Sequence, residues 1–262
     1  MAKVIAITNQ KGGVGKTTTA VNLSAALAAT KRNVLLIDLD PQGNATGGCG
    51  IDKIHIEFSM NEVLLAEILP SVAILKTEWG FDLIPSNGNL TVAEVRLLNM
   101  NDREQYLKKA LAKMQVDYDV ILIDCPPSLN MLTINALVAA QSVLVPIQCE
   151  YYALEGLTSL LNNIDKIKRA VNSNLAVEGL LRTMYDGRNR LTMEVSEQLI
   201  QHFKEKVYQT VIPRNVRLAE APSHGMPIIF YDKTSQGAVA YLALAGEIMQ
   251  RETQAHNSPL CV

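Results

Sequence analysis

The sequence lacks the marks of several protein classes. Its four cysteines, Cys49, Cys125, Cys149 and Cys261, form no Cys-x-x-Cys pair, so neither a zinc site nor a disulfide framework is indicated and a reducing cytoplasm fits best. No apolar run reaches the length of a membrane span, and the chain enters an apolar strand at once, leaving no room for a signal peptide. Basic charge is not in excess: 24 Lys and Arg stand against 26 Asp and Glu, for a net charge of -2. A protein permanently coated with nucleic acid usually carries a basic balance, so any such contact must come from a local patch, one that a dimer can assemble. Nothing in the composition divides the 262 residues, 48% of them hydrophobic, into separate units. A single α/β domain spanning 1–262 is therefore expected, ordered over 3–251 and ending in a flexible polar tail at 252–262.

What the sequence does have is concentrated in residues 4–19. Val4, Ile5, Ala6 and Ile7 predict a strand buried on both faces of a parallel sheet. Gly12, Gly13 and Gly15 then allow the main chain to fold tightly, with its N–H groups turned inward around an anion. Lys16 and Thr17 open a helix whose apolar stripe is Ala20, Leu23 and Leu27, and whose N-terminal dipole also favours negative charge. That is a phosphate cradle: backbone donors around the phosphates, Lys16 on the β- and γ-phosphates, the Thr17 hydroxyl on Mg²⁺. The usual pattern places glycine six residues before the lysine, and here Gln10 stands there, followed by a second lysine, Lys11. A dinucleotide fingerprint is not completed, because Gly13-x-Gly15-x-x reaches Thr18 instead of glycine.

The run Lys11-Gly12-Gly13-Val14-Gly15-Lys16-Thr17-Thr18 resembles the deviant Walker A motif of the ParA/MinD group of dimeric ATPases. The resemblance implies a P-loop NTPase-like three-layer fold, a mostly parallel central sheet with helices on both faces, and ATP with Mg²⁺ as ligands. It also implies that Lys11 crosses a sandwich-dimer interface to the phosphates of the other subunit's nucleotide.

Carboxylates follow at strand ends. An apolar strand over 34–39 delivers Asp38 and Asp40 and stops at Pro41. The C-terminal ends of parallel strands border the ligand crevice, and an extended chain turns both aspartates to one side. In the family this is the Walker A′ stretch, which makes Asp40 the residue that positions or activates the attacking water and Asp38 a support of the metal shell. Residues 120–124 repeat the arrangement with Asp124, a Walker B aspartate that holds Mg²⁺ through its water shell, followed by Cys125-Pro126-Pro127. The glycine-rich stretch 44–58 reads as a mobile surface segment near the phosphates, and its lone His55 as solvated.

The remaining pattern is scaffold: helices at 62–69, 90–98, 103–115 and 154–171, and strands at 81–84, 142–147, 177–183 and 207–212. The final helix, 235–251, is expected to bury Val239, Leu242, Leu244 and Ile248. Glu150 and Glu155 sit where a helix dipole alone accounts for them, or where they reach ribose or the opposite subunit; both readings stay open. Pro213 and Asn215, just past a strand, suit an adenine pocket with an apolar wall and an amide, and the family uses such positions in that way.

The block 148–157 is more similar to the chromosomal ParA subgroup, often called Soj, than to MinD, and Arg188 and Arg217 match arginines that contribute to DNA binding there. The resemblance thus implies an ATP-bound homodimer that binds double-stranded DNA without sequence preference, and a ParB-like centromere-binding protein that stimulates hydrolysis. Such a protein would be cytoplasmic and nucleoid-associated in its ATP state. Two alternatives are a MinD-like membrane-positioning ATPase, against which the polar tail argues, and a metabolic ATP-dependent synthetase or iron–sulfur carrier on the same scaffold.

Overall fold

The computed structural model describes residues 2–114 and 117–257. Its centre is a sheet of eight strands: β1 (Lys3–Ile7), β2 (Val34–Asp38), β3 (Leu75–Lys76), β4 (Asp82–Ile84), β5 (Val120–Asp124), β6 (Ser142–Gln148), β7 (Ala176–Tyr185) and β8 (Val207–Pro213). They lie in the order β3-β4-β2-β5-β1-β6-β7-β8. All described pairings are parallel except that of β3 with β4.

Alternation along the strands divides the core. Ile5 and Ile7 of β1 and Leu36 of β2 pack with α1 (Lys16–Ala28) on one face. Val4, Ala6, Leu35 and Ile37 pack on the other. The short helices α2 (Asn44–Gly48), α3 (Met60–Leu64), α4 (Leu90–Leu97) and α5 (Tyr106–Leu111) follow, then α6 (Met131–Ala139), α7 (Ala153–Ala170) and α8 (Arg190–Phe203). The chain closes with α9 (Val216–Glu220), α10 (Ile228–Tyr231) and α11 (Gln236–Asn257). Residues of α3 to α8 join the second core and residues of α10 and α11 join α1 in the first, so the expected three layers are present. Both faces of each central strand are buried, which is why these strands read as unbroken aliphatic runs.

Several expectations change. The stretch 44–58 carries α2, with Ala45, Thr46 and Cys49 buried, where the sequence reads as a surface loop. The helix expected over 103–115 is described only as Tyr106–Leu111, and position 115 lies outside the described residues. The last helix does not stop at Arg251: Glu252 is held by Arg32 at 2.6 Å and Lys3 at 3.2 Å, and α11 continues to Asn257. Residues 258–262 of the expected tail, Cys261 included, lie outside the described residues. The inner face of α11 is Ala238, Tyr241, Leu244, Ala245 and Ile248, whereas Val239 and Leu242 are exposed.

The two edges of the sheet differ. β3 is only two residues long. On β8, the Glu247 carboxylate of α11 accepts from the Gln209 and Thr210 amides, each at 2.9 Å. From the neighbouring β7, the buried Arg182 donates to the Tyr208 and Gln209 carbonyls at 2.8 and 3.1 Å.

Candidate active site

The carboxyl ends of β1, β2 and β5 meet at one point, because Ile7 and Asp38 both pair in register with Asp124. The loop from β1 to α1 arches over that point. Gly13 and Gly15 adopt φ of 74° and 85°, which only glycine does without strain. Gly12 does not need that freedom, and it is exposed together with Lys11 and Gly13. Three contacts fix the arch. Asn9 Nδ2 donates to the Pro146 carbonyl at 2.7 Å while its Oδ1 accepts from the Lys11 amide at 3.0 Å. Thr183 Oγ1 donates to the carbonyl of the buried Val14 at 2.8 Å. Sequence reasoning did not single out Asn9 or Thr183; polar residues at the ends of buried strands were the available signal.

The two lysines part company. Lys16 is buried, and its ammonium turns inward to the Lys11 carbonyl at 3.2 Å. Burial pushes its pKa down, while the charges of Asp124, Cys125 and Asp40 oppose the shift. Lys11 points outward and ion-pairs with Glu150, both side chains about half exposed.

Beneath the arch lie three aspartates. Asp38 and Asp124 are fully buried and Asp40 nearly so. Burial raises Asp124 well above the ordinary carboxylate range, and the charge of Asp38 adds to it; the Thr17 hydroxyl and the Lys16 ammonium act the other way. Burial likewise raises Asp38, against hydrogen bonds from the Thr46 side chain and backbone and from the Asp40 amide. Asp40 lies just past the end of β2, its Oδ1 accepting from the Gln42 amide at 2.9 Å.

Both Asp124 carboxylate oxygens are buried without a formed hydrogen bond among the described residues. Such a carboxylate can be satisfied by a hydrated cation, and the Thr17 hydroxyl lies beside it. No cluster of three His, Cys, Asp or Glu side chains among the described residues holds a metal alone. That suits Mg²⁺, which binds through one or two protein groups, waters and nucleotide phosphates.

Past the sheet end, Pro213 closes β8 opposite Tyr185, and Asn215 caps α9 with its Oδ1 accepting from the Leu218 amide at 3.2 Å. That bond uses one of the two lone pairs of the Asn215 oxygen, so the second lone pair and the Nδ2 protons remain for another partner. Arg188 and Arg217 follow β7 and β8, neighbouring parallel strands, and so lie at the same end of the sheet as the arch. Each is paired: Arg188 with Asp186 through two contacts of 2.9 Å, Arg217 with Glu220 at 2.9 Å and Asp232 at 3.6 Å.

This fold and this site define a P-loop ATPase of the ParA/MinD type. An AAA-domain family profile matches residues 2–177. The sporulation initiation inhibitor protein Soj of Bacillus subtilis is 53% identical over 250 residues, covering 95% of this chain and 98% of that protein. The chromosome partitioning protein ParA of Myxococcus xanthus is 49% identical over 254 residues, covering 97% and 90%. The chain belongs to the Soj/ParA family of chromosome-partitioning ATPases. Among solved structures, a Mycobacterium smegmatis protein described as cobyrinic acid a,c-diamide synthase, with a bound ATP analogue and magnesium, is 39% identical with a TM-score of 0.85. That likeness covers 97% of each chain.

Proposed function

We propose that this protein is a nucleotide-controlled dimerising switch: two ATP-bound copies form a sandwich, the dimer binds double-stranded DNA without sequence preference, and hydrolysis to ADP and phosphate releases it. One observation carries the reading. Lys16 turns into the arch while Lys11 turns out of it to Glu150, which supports a loop that gives one cation to its own nucleotide and, on leaving Glu150, a second to a neighbour's.

In this reading Gly12 to Thr18 wrap the phosphates, Lys16 neutralises the β- and γ-phosphates, and Pro213 with the Asn215 amide borders the adenine. Thr17, Asp38 and Asp124 would hold Mg²⁺, which when bound offsets phosphate charge. Asp40 accepts a hydrogen bond from water and directs its oxygen at the γ-phosphorus; the bond from that phosphorus to the β,γ-bridging oxygen breaks as the new one forms. Lys11 of the partner copy stabilises the charge that builds on the departing oxygens. Catalysis and dimerisation thereby share one lysine. Arg188 and Arg217 supply the DNA contacts, a ParB-like protein stimulates hydrolysis, and the ATP state resides on the nucleoid within the cytoplasm.

The likeness to a described diamide synthase motivates a second reading. Amide formation from glutamine uses a thiolate nucleophile, whereas Cys49, Cys125 and Cys149 are buried, and burial raises each thiol pKa. Among the described residues no cysteine is fitted to that step. No described helix is long and apolar enough to cross a membrane.

The test is binding of Asp40→Ala to random duplex DNA with ATP, with ADP and with neither, across a salt series and alongside sizing. The variant should keep ATP, accumulate as dimer and bind DNA only in the ATP form, with affinity falling steeply as salt rises. A dimer that ignores DNA at low salt would overturn the DNA role and leave the nucleotide switch in place.

A further inference from the structure

The loop that carries Asp40 is held by groups outside the nucleotide motifs. Thr46 is fully buried in α2, and both its amide and its hydroxyl donate to Asp38 Oδ2, at 2.8 and 2.7 Å. The hydroxyl has one proton and spends it on Asp38, so a lone pair faces the Ser86 amide, which donates to it at 2.9 Å. Ser86, also fully buried, lies just past β4, and its own hydroxyl donates to the Asp40 carbonyl at 2.8 Å. The direction of every hydrogen bond in this chain is therefore fixed.

Ser86 also confines the loop sterically. Gly43 has φ 60°, and a Cβ there would fall 2.6 Å from the Ser86 carbonyl oxygen and 2.6 Å from Lys53 Cδ. Lys53 closes the remaining side by donating to the Gln42 carbonyl at 2.9 Å. The β2 ladder ends at Asp38 with its pairing to Asp124, so beyond the Leu39 amide, which reaches the Asp124 carbonyl at 3.0 Å, the path of Asp40 is set by these contacts together with its own turn, in which the Gly43 amide donates to the Asp40 carbonyl at 2.8 Å.

We infer that Thr46 and Ser86 are positioning residues for ATP hydrolysis: they orient the Asp38 carboxylate and the Asp40 main chain, and they make the turn after β4 part of the catalytic apparatus. The inference rests on the reading of Asp40 as the hydrolytic residue. A water-directing carboxylate must be held within a fraction of an ångström, and displacement by about 1 Å can cost about a hundredfold in rate. The backbone and lysine contacts to the phosphates, by contrast, belong to the arch, which neither residue touches; of the two, Ser86 is also clear of the Mg²⁺ carboxylates, whereas Thr46 bonds Asp38.

The experiment uses the full-length protein with Mg²⁺ and ATP for turnover, a fluorescent non-hydrolysable ATP analogue for affinity, and thermal unfolding. Ser86→Ala and Thr46→Val should each lower kcat by about ten- to a hundredfold. For Ser86→Ala, KM and analogue affinity should stay within about threefold, and Thr46→Ser, which keeps the hydroxyl, should restore turnover. A kcat within about twofold of the parent in both variants overturns the inference, as does a parallel fall of kcat, affinity and melting temperature, which marks a general structural role. Asp40→Ala separates the two levels. If it is inactive while Ser86→Ala is fully active, the positioning role falls alone; if it retains turnover, the reading of the site falls with it.

Discussion

At the scale of single residues, Asp38 and Asp124 occupy paired positions on neighbouring strands, both fully buried. Burial raises both pKa values, so between the ordinary carboxylate range and those raised values the native chain binds more protons than the unfolded one. Stability of the nucleotide-free protein should therefore rise as pH falls through that interval. Asp124→Asn removes one of the two buried charges. We predict that it raises the stability of the nucleotide-free protein at neutral pH by about 1 kcal/mol, equal to about 2–4 °C, and flattens the pH dependence, while weakening Mg²⁺-dependent nucleotide binding. Calorimetry with and without nucleotide checks both halves. Gly43 gives the opposite case. Gly43→Ala forces a Cβ onto the Ser86 carbonyl at a positive φ, and should destabilise by about 1–3 kcal/mol, read by urea denaturation. The aspartates and the lysines were legible because charged groups closing aliphatic runs are conspicuous. Thr46 and Ser86 were not, since a threonine or serine in a turn has many uses, and the contacts between them span forty residues of chain.

Elements were legible in proportion to how much of their surface they bury. The central strands and α1 announce themselves as aliphatic runs and stripes, and their positions match within a residue or two. The helix α8 was overlooked behind the polar turn at Arg188 to Arg190, although Asn189 caps it by accepting from the Leu191 and Thr192 amides and Val195 and Leu199 recur at helical spacing. The two-residue β3 and the four-residue α10 are set by tertiary contact and carry no period to read. The edge strand β8 depends on a side chain from another element. Burial pushes the Glu247 pKa up, but the Thr210 and Gln209 amides and the Arg251 charge outweigh it and leave it lowered. Its contribution is therefore complete above the ordinary glutamate pKa and is lost as pH falls through the lowered value. Glu247→Ala should cost about 1–3 kcal/mol at neutral pH, with the difference from the parent shrinking below about pH 4 in denaturation curves.

At the scale of the whole molecule, a net charge of -2 leaves the proposed DNA binding to local arrangement. Both arginines proposed for that contact already carry acidic neighbours, so each would bring less than a full positive charge to a phosphate. Arg188→Ala and Arg217→Ala should each weaken the ATP state for all duplexes alike and reduce the slope of log affinity against log salt by at most about two per dimer. Dimer formation should be unaffected, which sizing in ATP would show.

The sheet edges have a further consequence for how copies can associate. A neighbour's strand finds only two residues to pair with at β3, and at β8 it meets amides already taken by Glu247 and carbonyls taken by Arg182. Growth by adding strands, which propagates without limit into fibres, is thereby disfavoured at both edges. The proposed contact through the loops at the carboxyl end of the sheet would use the same surface on each copy, and an assembly of that kind closes at two. The capped edges are thus a device of quaternary economy: they disfavour strand addition and so favour the proposed face-to-face pairing, which has Lys11 on its surface.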